Sequence, residues 1–487
     1  MQKVLTLFWD RYKQTHGNHE IYSRAASGLI DMSMCLPVLY HGDEGRGLKK
    51  KQVMIASTHG VIGAGCSHQN NDLGHPSDPS KDPLRLNMIG NTLLNHFIQF
   101  AAPIGLYNKS PESFDRLLDL QAKEFRKLFY EGAEINGRRF FIACIGVKGD
   151  APFLVKAGKF ERSFAHKPTR PSSKKPAGGV CHLCCAGKED LHPPAPYEDY
   201  GSVRPAWRNT VGLLRPYSQP SPLLQIPLNG DGFMPEKLFQ YDLFHNWHMG
   251  VGKTFISSAV CICLELVDET IECAFETITE DFKAYCARNR ESPYHKSLTA
   301  SLFGIQGSFQ SWPEAGWSKG DFTRLLNSWF EDYCSRKVVG HTRDPLCLKC
   351  AEGVALINAC IHGLYHEGVF IPSERAVDLA RKGLRFLRLY AELALECFKR
   401  SKKRFPLIPK GHFLHHSFLD LLEQSLSNPD GWTVNVLIYA CQSQEDFVGR
   451  PSRIARRVNP RTTSLRVLQR VFLAVRSKLW PKGKDDP

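Results

Sequence analysis

Cys35-Leu36-Pro37-Val38-Leu39-Tyr40-His41-Gly42-Asp43 and Arg139-Phe140-Phe141-Ile142-Ala143-Cys144-Ile145-Gly146-Val147-Lys148-Gly149-Asp150 are the two stretches that decide how this chain folds. Each is an apolar, strand-like run closed by Gly and then Asp. Between them, Phe114, Leu117, Leu118, Phe125, Leu128 and Phe129 recur on a helical repeat within Ser113 to Gly132. Asn136-Gly137 then turns the chain into the second run. A strand–helix–strand step favours parallel neighbours in one sheet. It therefore predicts that Asp43 and Asp150 reach the same sheet edge, where two carboxylates can share divalent cations. The preceding glycines would leave room for a metal or phosphate. Taken singly, each Asp reads equally well as the close of a strand-terminating turn.

Working outward, Gln52 to Thr58 reads as a further strand after the basic, Gly-containing turn Glu44–Lys51. Residues 1–34 look helical and 66–84 are a polar loop. Two helical patterns follow, of which Ser113 to Gly132 is the clearer. Twelve prolines between 168 and 235 exclude long regular elements there, and Leu238 to about Arg404 is mostly helical. The fold class is mixed α/β.

The 487 residues are 42% hydrophobic and 23% charged, ordinary for a globular chain, so disorder is not the default. The net charge of +14 points to a polyanionic partner, nucleic acid above all. From Arg450 onward, eleven Lys/Arg face two Asp/Glu. Such tails are commonly nucleic-acid arms. Arg450, Arg453, Arg456, Arg457, Arg466 and Arg470 are the expected phosphate contacts. Leu465, Leu468, Phe472, Val475 and Leu479 form the expected buried stripe of the last helix. The first ten residues break their apolar run too early for a signal peptide. The longest apolar stretch, around Ile256 to Val267, is short for a bilayer, and no membrane is expected. A reducing compartment follows, so the sixteen cysteines read as metal ligands or core residues before disulfides.

Cys181-x2-Cys184 fits two thiolates on one Zn²⁺ within a tight turn. Cys185, His182, His192, His245 and His248 are candidates for the missing ligands. Asp242 and His245, three apart, share a helix face and could complete a metal site or orient each other. Asp242 as a plain N-cap is the alternative. Gly250-Val251-Gly252-Lys253-Thr254 imitates the end of a P-loop, but Trp247 stands where the first Gly belongs and no strand precedes it. ATPase and GTPase functions are excluded on that ground. Cys347-x2-Cys350 reads as core cysteines.

Asp43, Gly149-Asp150, Cys181-x2-Cys184, Asp242-x2-His245 and the late stretch Ile408-Pro409-Lys410-Gly411-His412 together resemble the catalytic region of cut-and-paste DNA transposases. The CACTA and Plavaka-type elements are the nearest group, and the resemblance covers roughly 35–450. It implies a ribonuclease-H-like mixed sheet over 35–164 and a zinc-bearing Pro-rich insertion over 165–237. A helical region over 238–404 would complete the core, with a basic C-terminal region over 405–487. It implies Asp43 and Asp150 as the first two catalytic acids binding Mg²⁺ or Mn²⁺. Structural zinc would sit on Cys181, Cys184 and His245, with Asp242 nearby. For the third acid the nearest match is Trp317-Ser318-Lys319-Gly320-Asp321-Phe322, where Asp321 stands in place of the family's Glu. The implied activity is DNA strand cleavage and transfer in the nucleus. A catalytically inactive, zinc-stabilised nucleic-acid-binding derivative is the alternative, and a homo-oligomer is left open.

Overall fold

The computed structural model of the chain describes residues 2–63, 66, 81–164, 178–230, 232–267 and 269–479. Most of the polar loop expected over 66–84, the start of the Pro-rich segment and the last basic residues lie outside that set. A five-stranded sheet organises the first third. Its strands are β1 (Cys35–Arg46), β2 (Gln52–Gly60), β3 (His96–Pro103), β4 (Ala133–Ile135) and β5 (Arg138–Gly149), in the order β3-β2-β1-β5-β4. β1 pairs antiparallel with β2, and β2 antiparallel with β3. β1 pairs parallel with β5. The β4–β5 hairpin turns at Asn136 and Gly137, both with positive φ, which is why that dipeptide stands there.

The strands read as near-continuous apolar runs because both faces are covered. Alternate residues point to opposite faces. Val38, Tyr40, Met54, Phe100 and Cys144 meet Phe114, Leu118 and Phe125 of the helix Pro111–Tyr130. Cys35, Leu39, Phe141 and Ile145 enter the main core shared with the later helices. β3 falls where a helical pattern was expected before 113. Ile98 and Phe100 are buried while Phe97 is exposed, a period of two that pairing with β2 enforces.

The Pro-rich segment holds only short 3₁₀ turns among its described residues, such as Ala206–Thr210 and Pro222–Gln225. It is not a body with its own core. Val180, Leu183, Tyr197 and Trp207 pack into the same cluster as the helices Gly252–Leu264, Ser373–Lys399 and Pro409–Ser427. A two-stranded ribbon, β6 (Phe370–Pro372) with β7 (Trp432–Val434), ties the helical half together.

Two C-terminal helices, Gln442–Ala455 and Thr463–Leu479, fold back over the sheet. Phe447, Val448, Val467 and Val471 pack on Val53, Ile55, Ile98 and Ala101. The first of them lies so close to β1 that a Cβ on Gly45 would stand 1.7 Å from the Ser452 hydroxyl. The last helix keeps part of the expected stripe, since Leu468 and Val475 pack against this cluster, but its buried line is Thr463, Val467 and Val471, and Leu465, Phe472 and Leu479 face outward. The β-branched face fits the edge strand more closely than the leucine face.

Phe244–Leu264 and Pro345–His366 are each long and apolar enough to cross a membrane, beyond the stretch marked in the sequence. Both are largely buried against protein, 83% and 56% of their apolar windows, as core helices are. The P-loop look-alike lies inside helical turns, with the Lys253 ammonium donating to the Trp317 carbonyl.

One buried ion pair staples the first helix, Gln2–Lys13, to the rest. Arg11 is 2% exposed, donates to both oxygens of Asp82 at 3.1 and 2.8 Å, and stacks over Trp432. Breaking such a pair strands a buried carboxylate. Arg11→Ala is expected to cost about 3–5 kcal/mol in equilibrium urea unfolding.

Candidate functional site

Parallel pairing of β1 with β5 sets Gly42 opposite Gly149, so Asp43 and Asp150 lie side by side at the same level. β5 ends there, but β1 runs on to Arg46 with Asp43 paired to Ile55, so Asp43 does not close its strand and the turn expected at Glu44–Lys51 begins only at Gly47. Gly42 and Gly149 make room for a ring. A Cβ on Gly42 or Gly149 would stand 2.1 or 2.4 Å from Phe153, so it is this phenyl, and not a metal or phosphate, that fills the space. Asp150 caps the helix Ala151–Gly158 by accepting the Phe153 N–H at 2.8 Å. The Glu44 N–H donates to Asp43 Oδ1 at 2.6 Å.

A third segment arrives beside β5. Phe239 bridges to Val147, and the Gln240 N–H donates to the Val147 carbonyl at 2.8 Å. That contact delivers Asp242 to the same end of the sheet. Asp242 accepts N–H groups from Phe244 and His245 at the start of a π-helical turn, Phe244–Val251, and a third from Cys441 at 2.9 Å. It is thus both cap and orienting group, hydrogen-bonded to His245 Nδ1. A fourth segment is fixed from below. The buried Lys148 ammonium donates to the Ile438 and Ala440 carbonyls at 3.0 and 2.8 Å. The helix Gln442–Ala455 starts just beyond them and carries Glu445 in its first turn, where its N-terminal dipole favours an acid. Glu445 Oε1 lies 3.5 Å from His245 Nε2.

Four acids and one histidine from four chain segments therefore share this end of the sheet. Burial pushes the Asp43 carboxyl well above its usual range, and the negative charges of Asp150 and Glu445 push it further. Burial likewise raises Asp150 and Glu445. Burial opposes the charged form of His245, but Asp242, Glu445 and Asp150 outweigh it and raise its pKa to about 9. An imidazolium thus compensates part of a crowded negative charge.

Asp321 is not part of this group. Its side chain is 75% exposed on the helix Gly320–Lys337 and pairs with Arg324 at 2.8 Å. That helix packs on helices of the second half, and its first turn looks into a different cavity. Glu331, further along the same helix and a poorer match to the family's third acid, accepts from Asn358 and is also elsewhere. The acids found at the end of the sheet beside Asp43 and Asp150 are Asp242, hydrogen-bonded to His245, and Glu445, 3.5 Å from it.

Cys181 and Cys184 are buried with His412 and His416, whose ligand atoms all lie within 4.8 Å of one another. The group could hold a metal ion such as zinc. His245 and Asp242, expected as its completing ligands, belong to the acidic end instead. The two histidines sit at i, i+4 on one face of the helix Pro409–Ser427. Both Nε2 atoms stand 3.4 Å from Cys184 Sγ, and His416 Nε2 is 3.6 Å from Cys181 Sγ. Burial disfavours a Cys181 thiolate, but contacts with Cys184, His416 and His412 more than reverse this, so its pKa falls well below the usual value. Trp207 seals the cluster, with ring centroids 4.5 and 4.3 Å from His412 and His416. Of the other candidates, His182 stacks on Phe160, Cys185 is tied by its N–H to Thr210, and His192 is exposed.

A cavity of about 310 Å³ is lined by Asp150, Asp242 and His245 together with Tyr241, His182 and Lys410. The Tyr241 hydroxyl is 2.9 Å from Cys181 Sγ. Of the expected phosphate-contacting arginines, Arg453, Arg457, Arg466 and Arg470 are exposed. Arg450 pairs with Asp446, and Arg456 donates to the Arg46 carbonyl.

Glu445 and the His412/His416 pair were the residues sequence reasoning missed. The x3 spacing of two histidines was a readable signal for a CxxC lacking two ligands. An acid in the first turn of a helix that returns to the sheet was a weaker one. No family model matches the chain, and none of the curated proteins is similar to it.

Proposed function

We propose that this chain is a transposase-like DNA-binding protein that cleaves and transfers DNA strands with divalent metal ions. The observation that carries the reading is that parallel pairing of β1 with β5 sets Asp43 and Asp150 at one level of the sheet, with Glu445 3.5 Å from His245 at the same end. A ribonuclease-H-like core is supported by the strand plan: a three-stranded antiparallel meander whose first strand pairs in parallel with a strand following a helix.

The acids suit Mg²⁺ or Mn²⁺, hard cations that take carboxylate oxygens. Their pKa values are raised first by burial and further by neighbouring carboxylates, a repulsion that such a cation would relieve. Asp43, Asp150 and Glu445 are the residues that would hold it, and it would supply activation of the attacking oxygen and stabilisation of the leaving one. Asp242 fixes the His245 ring, which sits beside Glu445 as a proton donor for the departing oxygen.

Zinc is the ion we assign to Cys181, Cys184, His412 and His416. With bonds of about 2.3 Å to sulfur and about 2.0 Å to nitrogen, tetrahedral ligand atoms stand roughly 3.5 Å apart. The sulfur–nitrogen separations of 3.4 and 3.6 Å match this.

The test is incubation of the full chain with Mg²⁺ or Mn²⁺ and end-labelled DNA. Cleavage that disappears in Asp150→Asn while DNA binding persists supports the enzyme. Binding without cleavage under either metal supports the inactive, zinc-stabilised alternative. Absence of binding at moderate salt defeats both. The basic C-terminal face makes a quantitative prediction. Each phosphate contact contributes about 0.9 to the slope of log K against log salt. Replacing Arg453, Arg457 and Arg470 together by Ala is expected to lower that slope by about 2–3, read by fluorescence anisotropy across a salt series.

A further inference from the structure

Lys410 lines the cavity beside Asp150 as a half-buried cation without a counter-ion. Its stem lies against Gly250, where a Cβ would stand 2.5 Å from the lysine Cδ. Its Nζ donates to the Met249 carbonyl at 3.1 Å and forms no ion pair among the described residues. An ammonium has three protons to give, so two remain. Lys410 also stands in the first turn of the helix Pro409–Ser427, where the helix dipole adds positive potential and the N-cap Ile408 supplies no side-chain acceptor.

The other charged groups of the lining are Asp150, Asp242 and His245. Asp242 and His245 are spent on each other, and His245 also meets Glu445. Asp150 is assigned above to the divalent cation. That leaves Lys410 as the charge a ligand can meet.

Asn246 lines the same cavity, one turn before Gly250 on the segment Phe244–Val251 that Lys410 crosses. It is 6% exposed, and its amide has no hydrogen-bond partner among the described residues. The amide is not sealed from solvent, so the opening it meets is this cavity. Two other polar groups of the lining are engaged elsewhere: the Tyr241 hydroxyl at Cys181 Sγ and His182 Nε2 at the Phe239 carbonyl. A buried amide without a partner and a cation without an anion are each costly. An oxyanion satisfies both, accepting from the ammonium and from the amide N–H. Apolar lining such as Leu154, Val155 and Phe413 strengthens charge-assisted bonds of this kind.

We propose that Lys410 and Asn246 form a phosphate subsite that holds the non-bridging oxygens of the DNA phosphodiester presented to Asp150. The inference rests on the DNA-cleaving reading above and names a direct contact to the substrate that the acids cannot make, since carboxylate and phosphate repel each other unless a cation intervenes. A fixed ammonium at those oxygens is a clamp of the type that stabilises charge during phosphoryl transfer.

The experiment measures the affinity of the full chain for duplex DNA with Ca²⁺ in place of Mg²⁺, so that the strands stay intact. A neutral methylphosphonate replaces one phosphate at a time. At one position the native chain is expected to lose about tenfold in affinity, the worth of one charge-assisted hydrogen bond. Lys410→Met keeps an unbranched stem beside Gly250 and should shrink that loss to about twofold or less. Asn246→Asp keeps the shape and sets a negative charge against the phosphate, so at the same position the methylphosphonate should bind at least as tightly as the phosphate. A loss that persists undiminished in either folded variant overturns the subsite alone, as does the absence of any sensitive position in the native chain. No DNA binding at all overturns the subsite together with the DNA-cleaving reading.

Discussion

Glu445→Gln is expected to reduce metal-dependent DNA cleavage by roughly 10²–10³-fold while leaving DNA binding in place. The reason is where the charge sits. Asp43 and Asp150 come from paired strands, and Glu445 stands 3.5 Å from His245 on the helix Gln442–Ala455, whose lead-in Lys148 and Asp242 pin to the sheet end. Glutamine keeps the shape and removes a negative charge from a cage whose acids already repel one another. The folded state should therefore keep its stability or gain a little, and the loss should fall on the rate. Asp321→Asn is the decisive comparison, since Asp321 is the acid the motif spacing pointed to. Exposed and paired with Arg324, it should cost at least tenfold less than Glu445→Gln in the same assay. Equal losses in the two variants would overturn the assignment of Glu445.

The difference between those two residues shows what a sequence can and cannot disclose. The strands holding Asp43 and Asp150 were legible because their apolar runs are long and the intervening helix forces parallel pairing. The relation of Asp43 to Asp150 follows from one local step of topology. Glu445 is nearly three hundred positions from Asp150, and nothing in its own neighbourhood distinguishes it from a surface acid in a helix's first turn. What brings it in is tertiary: the close approach of Ser452 to Gly45, and the Asp242 carboxylate accepting the Cys441 N–H. The same holds for the metal ligands. Cys181 and Cys184 advertise themselves by spacing. Choosing His412 and His416 over His245 required knowing that Pro409–Ser427 packs on the Pro-rich segment while the His245 ring is held between Asp242 and Glu445. β3 failed for a different reason. Its eight residues lie between two short helical turns, and only pairing with β2 decides between a period of two and a helical repeat.

Removing metal from the Cys181/Cys184/His412/His416 cluster should produce the largest stability change in the molecule. The segment around 178–212 has almost no regular structure and holds its path by side-chain packing on Trp207 and the histidine helix. With zinc on the cluster as proposed, such a turn would owe its fold to the ion, because the ligand set exists only when the chain is folded. His412→Ala or exhaustive chelation is expected to cost at least about 5 kcal/mol in reversible unfolding, against the 10–16 kcal/mol apparent for isolated zinc modules. The effect should also reach the acids. Tyr241 contacts Cys181 at 2.9 Å, and its neighbour Asp242 holds His245 and the Cys441 N–H. Loosening the cluster therefore frees the segment that orients His245. Cleavage should vanish on chelation, fail to return with Mg²⁺ alone, and recover when zinc is added back first. Cys350→Ala is the control, since Cys350 is equally buried but lies in the helix Pro345–His366 outside the cluster. It should cost only the packing of one small side chain, on the order of 1 kcal/mol, and leave metal content unchanged. Metal analysis should return one zinc per chain for the native protein and for Cys350→Ala, and much less for His412→Ala. Full stability and full zinc content in His412→Ala would remove His412 from the ligand set.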